Sequence, residues 1–104
     1  MNTVISDWSI VSIIDDNGLK IGDVLWGIVI DDSSCRFLKN DYVCSSEIVK
    51  VFHQLVTTSS GSVYQVLGNG IDSEILFSEF ELLRHGFSPK QIKDLRLSSG
   101  LKIH

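Results

Sequence analysis

Val24-Leu25-Trp26-Gly27-Ile28-Val29-Ile30 is a nearly continuous apolar run, rich in β-branched residues and closed by Asp31-Asp32-Ser33-Ser34. A strand with one wet face shows a polar residue at every second position; a run without that alternation predicts a strand buried on both faces. Upstream, residues 8–14 are again rich in Ile and Val, and Asp15-Asp16-Asn17-Gly18 separates the two stretches. Asn-Gly accepts positive φ at both central positions of a tight turn, so the pair reads as a hairpin.

Downstream the same logic continues. Residues 37–41 read as a loop and 42–45 as a short strand. Residues 48–52 and 55–58 flank His53-Gln54 as two more, and Ser59-Ser60-Gly61 leads into a strand over 62–67. Gly68-Asn69-Gly70 breaks the pattern as a turn, leaving 71–77 for one further strand. The period then changes. Ser78-Glu79-Phe80-Glu81 has the form of a capping box, with Gly86 placed as a stop after about two turns of helix. Ser88-Pro89-Lys90-Gln91 repeats the signal before a second short helix that should end at Gly100.

Short strands about ten residues apart predict a mainly β fold with a short α tail (α+β): a small SH3-like barrel or a strongly bent antiparallel sheet with two short C-terminal helices. The 104 residues suit a single domain, with a β-rich body over 1–77 and a helical tail over 78–104. The tail is expected to pack on an open end of the barrel through Phe80, Leu83, Phe87 and Ile92. No apolar run reaches the roughly 20 residues of a membrane span. The first residues lack the basic and apolar regions of a secretory signal, so a cytoplasmic setting is expected. In that setting Cys35 and Cys44 are reduced thiols.

The formal net charge is -4, with its parts unevenly placed. Up to Leu83 there are twelve acids against Lys20, Arg36, Lys39 and Lys50; from Arg84 onward five bases face Asp94 alone. An acidic body argues against general binding of nucleic acid through its phosphates. Two candidate partner surfaces follow: an acidic face of Asp15, Asp16, Asp31, Asp32 and Asp41, and a basic stripe of Lys90, Lys93 and Arg96 at helical spacing. Both acidic pairs also fit turns, where Asp is favoured for its hydrogen bonds to nearby backbone. The stripe also fits a solvated helix face.

Sets that would carry chemistry are weak. Cys35, Cys44, His53 and His85 make a notional zinc set, without the close ligand spacing of structural sites. Cys44 with His53 would be a nucleophile and base with no third, orienting group. Gly68-Asn69-Gly70 lacks the helix and the Lys of a phosphate loop. Trp8, Trp26, Phe37, Tyr42 and Tyr64 read as core more readily than as a stacking face. No cofactor, metal or catalytic residue is implied.

Val29, Asp32, Arg36-Phe37, Asp41-Tyr42-Val43, Ser45, Ile48-Val49, Thr57, Tyr64, Val66-Leu67-Gly68 and Gly70 form a pattern over residues 26–70. It resembles a small bacterial domain family of unknown function, found in proteobacterial and prophage-like proteins. The chain departs from that pattern at Lys39-Asn40-Asp41-Tyr42, where the family usually has Pro-Gly-Asp-Trp. The resemblance implies a β-rich fold and a mobile-element or defence-related context, and it carries over no catalytic residue. Arg36 and Asp41 flank one loop and are expected to pair across it.

The function that fits these readings is a small acidic binding protein, not an enzyme, that inhibits or neutralises a macromolecular protein partner in the manner of immunity proteins or phage-encoded anti-defence proteins. The alternatives are a nucleic-acid-associated regulator acting through the basic tail and a small-ligand-binding or enzymatic domain.

Overall fold

The computed structural model describes residues 2–33 and 36–103, with side chains over 3–33 and 36–98; Ser34 and Cys35 lie outside the described residues. The elements are β1 (Asn2–Ile14), β2 (Lys20–Asp32), β3 (Tyr42–Phe52), β4 (Leu55–Thr58), β5 (Val63–Val66), β6 (Ile71–Leu76), a 3₁₀ turn (Phe77–Glu79), α1 (Phe80–Arg84) and α2 (Pro89–Ile103). The fold is mainly β, one mixed sheet of six strands with two helices. β1 to β5 pair antiparallel in chain order, and β5 then pairs with the first half of β1 in parallel. The parallel closure follows from counting: the fifth strand of an up-and-down series runs the same way as the first. β6 pairs with the second half of β1 alone, also in parallel.

The β1–β2 hairpin sets the shape of the molecule. Thirteen residues at about 3.3 Å each span roughly 43 Å, close to the longest extent of 48 Å. A tight turn forms where the sequence predicts one, but only Gly18 takes positive φ (83°): its N–H donates to Asp15 O (3.0 Å), so Asp16 and Asn17 are the central residues and Gly18 follows them. β2 is buried on both faces over 24–27, as its unbroken apolar run requires. Leu25 and Val29 enter one core with Ile5, Val43, Val56, Tyr64 and Val66. Val24 and Trp26 enter a second with Val11, Ile13, Ile75, Leu83 and Ile92.

A bulge in β1 creates the second core. Ser6 lies opposite Ile28 and Ser9 opposite Trp26, so β1 spends three residues where β2 spends two. The surplus falls at Asp7 and Trp8, and Asp7 takes the left-handed conformation (φ 49°) that Asp tolerates better than most residues. Because side chains alternate with period two, one extra residue swaps the faces. Ile5 therefore points to the first core, whereas Val11 and Ile13 point to the opposite face.

Several sequence expectations need correction. The first strand starts at Asn2, not at residue 8. The stretches 42–45 and 48–52 are one strand, β3. The serines that look like a gap form a bulge in which Ser45 Oγ accepts the Leu25 N–H (2.8 Å). The helices cover the outer sheet face presented by the β1 bulge instead of an open end; Leu83 and Ile92 are buried there, while Phe87 remains 38% exposed. At the first helix Glu79, not Glu81, folds back, accepting the Leu76 N–H (2.8 Å). The Ser88/Gln91 box forms as expected: Ser88 N–H donates to Gln91 Oε1 (2.8 Å) and Gln91 N–H to Ser88 Oγ (3.1 Å). α2 runs on through Gly100, because a glycine weakens a helix without ending it.

Candidate functional site

The five aspartates of the expected acidic face do not share a surface. Asp31 lies opposite Val4 near one end of the long hairpin, and Asp15 and Asp16 form the turn at the other, about ten ladder steps or roughly 33 Å away. Three of them hold their own loops. Asp15 Oδ1 accepts the N–H groups of Asn17 (2.8 Å) and Leu19 (2.9 Å). Asp32 Oδ2 accepts those of Arg36 and Phe37 (both 2.8 Å), and its Oδ1 the Thr3 hydroxyl (3.0 Å). Asp41 Oδ2 accepts the Leu38 N–H (2.9 Å), so the expected Arg36–Asp41 pair is absent; Arg36 reaches Ser62 Oγ (3.2 Å) and Thr3 Oγ1 (3.4 Å) instead. Asp16 and Asp31 are exposed.

The basic stripe is largely engaged at home. Arg96 grips Glu79 with two bonds, Nε to Oε2 (2.8 Å) and Nη2 to Oε1 (2.5 Å), fastening α2 to the turn before α1. Those bonds, with the Leu76 N–H, outweigh partial burial and hold the Glu79 carboxyl below the usual carboxylate range. Lys90 pairs with Asp94 (3.5 Å). Lys93 is exposed.

An open groove of about 1040 Å³ extends over β1 and β2 as well as β6 and the start of α2, lined among others by Ile10, Ser12, Asp23, Asp72, Glu74, Lys90 and Lys93. β6 is the edge of the sheet, hydrogen-bonded on one side to β1. Its Ile75 faces the helix-covered core, so by alternation Ile71 and Ser73 lie on that face and Asp72 and Glu74 on the other. Both carboxylates are exposed. Trp26 also lines the groove; it is 7% exposed, and its indole N–H is buried without an acceptor among the described residues. The alternation of Ile71-Asp72-Ser73-Glu74-Ile75 is visible in the sequence, but that β6 has no second neighbouring strand among the described residues is not.

The residues considered for covalent or metal chemistry are placed otherwise. Burial pushes the Cys44 thiol up to about 11, against a smaller opposing effect of the Arg84 charge, so at neutral pH it carries its proton and is a poor nucleophile. His53 sits at the β3–β4 hairpin tip at φ 54°, with its ring edge-on to Phe52 (4.2 Å). His85 Nδ1 lies 2.6 Å from Glu81 O. Among the described residues no group of three His, Cys, Asp or Glu is arranged to hold a metal ion, and Cys35 lies outside them. Of the aromatics, Tyr64 and Trp26 are core and Trp8 and Phe37 pack beside it; Tyr42 is partly exposed, and its hydroxyl donates to Arg84 O (2.6 Å) at the end of α1. No helix among the described residues is long and apolar enough to cross a membrane.

Compared with family models, with curated proteins and with solved structures, the chain matches none.

Proposed function

We propose that the chain is a small acidic binding protein, acting by association and not by catalysis, that inhibits or neutralises a macromolecular protein partner in the manner of immunity or phage-encoded anti-defence proteins. The observation that supports this reading is an excess of exposed carboxylates. Lys20, Arg84, Lys90 and Arg96 each sit on a carboxylate of their own chain. Asp16, Asp31, Asp72 and Glu74 are exposed with no ion-pair partner among the described residues. Lys39, Lys50 and Lys93 are exposed without such a partner too, but with a formal net charge of -4 the excess of carboxylate leaves an outward negative field, suited to steering and holding a basic protein surface. The pairing of Lys90 and Arg96 counts against a nucleic-acid regulator working through the basic stripe, of which Lys93 alone has no ion-pair partner among the described residues. With this reading go a single cytoplasmic module in a mobile-element context and the finer description of the fold as a small SH3-like barrel, which the circuit of pairings from β1 to β5 supports.

The test is capture from a lysate of the native host on the tagged protein, eluted in a salt gradient with a nuclease-treated control. One protein in near-stoichiometric amount, unaffected by nuclease and released as salt rises, is the expected result. Recovery that vanishes with nuclease, or that ignores salt, overturns the electrostatic protein-binding reading.

A further inference from the structure

We propose that the free edge of β6 takes up an extended segment of the partner as a further strand, with Lys or Arg at every second position to lie beside Asp72 and Glu74. This inference rests on the protein-binding reading above and names its docking surface and the chemistry of the segment.

The backbone argument comes first. β6 has β1 on one side and, among the described residues, no strand on the other. The N–H of Leu76 is taken by Glu79 Oε1 (2.8 Å), not by β1. In a strand, groups two residues apart point the same way, so the N–H groups of Asp72 and Glu74 point off the sheet edge with that of Leu76. A strand laid about 4.8 Å outside β6 meets those donors. Six residues of edge, roughly 20 Å, are an ordinary strand length.

Side chains then choose the occupant. On one face the new strand lies beside Asp72 and Glu74, exposed and without an internal cation, so residues of one parity are selected as Lys or Arg. On the other it meets the α2 wall with Lys90 and Lys93, which disfavours bases at the intervening positions. A second copy of the chain is a poor occupant: antiparallel pairing of β6 with itself sets Asp72 against Glu74, like charge on like. A basic segment of a different protein has no such penalty.

The experiment uses the full chain and three eight-residue fluorescent peptides: alternating Lys and Thr, the same composition as a Thr block followed by a Lys block, and alternating Glu and Thr. Anisotropy should show the alternating Lys peptide binding about tenfold tighter than the block peptide, since a block that sets two Lys beside Asp72 and Glu74 also sets the Lys between them against Lys90 and Lys93. Amide exchange at Asp72 and Glu74 should slow in that complex. The variant D72K/E74K, altered only at exposed positions, should reverse the preference toward the Glu peptide. Equal binding of the alternating and block peptides, or no protection at those amides, overturns the inference. Glu74→Pro removes one outward N–H and should abolish binding of the Lys peptide. If a partner captured from lysate is held equally well by Glu74→Pro and D72K/E74K, the edge is not the docking site and the protein-binding reading stands. If wild type captures no protein, that reading fails, and the peptides still decide what the edge accepts.

Discussion

Ile5 and Val11 are both fully buried, both at odd positions of β1, and belong to different cores. Ile5 is covered by other strands, because β5 returns to pair with the first half of β1. Val11 lies past the bulge, where β6 replaces β5 and two helices provide the cover. One surplus residue thus divides a continuous strand into a half enclosed by sheet and a half covered by helix. The second half has the looser construction: α2 is held by Ile92 in the core and by Arg96 on Glu79, and its later turns carry exposed Leu95 and Leu97.

The largest effect that separates the halves is truncation of a buried aliphatic. Ile5→Ala should cost about 2–5 kcal/mol and lower the stability of the whole sheet, measured by denaturant unfolding. Ile92→Ala removes a similar volume, but its cost is limited by release of the tail. Hydrogen exchange should accelerate along α2 while amides of β4 and β5 keep their protection. Equal loss of protection in β5 for both variants would show that the halves unfold as one unit.

The seam between the halves comes next. Trp8 sits at the bulge, its indole N–H donating to Leu67 O (2.9 Å) in the segment that passes the chain from β5 to β6. A Cβ on Gly70 would collide with the Trp8 ring, so glycine here makes room for an aromatic. Gly70→Ala should destabilise by about 1–3 kcal/mol, as overpacking does. In the Trp8→Ala background the same change should cost much less, a coupling that a double-mutant cycle reads. Additive costs would place the role of Gly70 elsewhere.

This seam is also where the sequence stops being informative. The hairpin, the two-faced burial of β2, the Gly86 stop and the Ser88 cap all rest on local signals and are legible. The bulge is not, since Asp7 carries no mark of its left-handed conformation, and without it residues 5 to 13 read as one face. The acidic face fails for a related reason: Asp15, Asp32 and Asp41 are recognisable as turn residues, but their separation depends on a hairpin whose first strand begins well before residue 8. β6 shows its alternation and conceals the lack, among the described residues, of a second neighbouring strand, a property of topology alone.

A smaller effect tests how the half enclosed by sheet anchors the helical half. Tyr42, at the start of β3, donates its hydroxyl to Arg84 O and lies against Gly86, whose missing Cβ leaves room for the ring. Tyr42→Phe keeps the ring and removes the bond, and should cost about 0.5–1.5 kcal/mol. The loss should appear as faster exchange in α1 with β3 unchanged. A uniform loss over β3 would mean that the hydroxyl supports the sheet and not the helix end.

The smallest effect is the most specific to the tail, and it depends on pH. Arg96 holds the Glu79 carboxyl below its ordinary value, so the folded state favours the charged form. A group depressed in this way stabilises the fold fully above its unfolded pKa, near about 4.3, and the contribution disappears as pH falls through the lower folded value. Arg96→Gln removes the cation and should leave a Tm deficit that is constant from about pH 7 to pH 5 and shrinks below pH 4. Since ion pairs near the surface are worth under about 1 kcal/mol, the signal is clearest as exchange at α2 amides. A deficit that persists undiminished at pH 3 would show that Arg96 secures α2 by packing its aliphatic stem and not by its charge, and the helical half would then be held by apolar contact alone, as the enclosed half is.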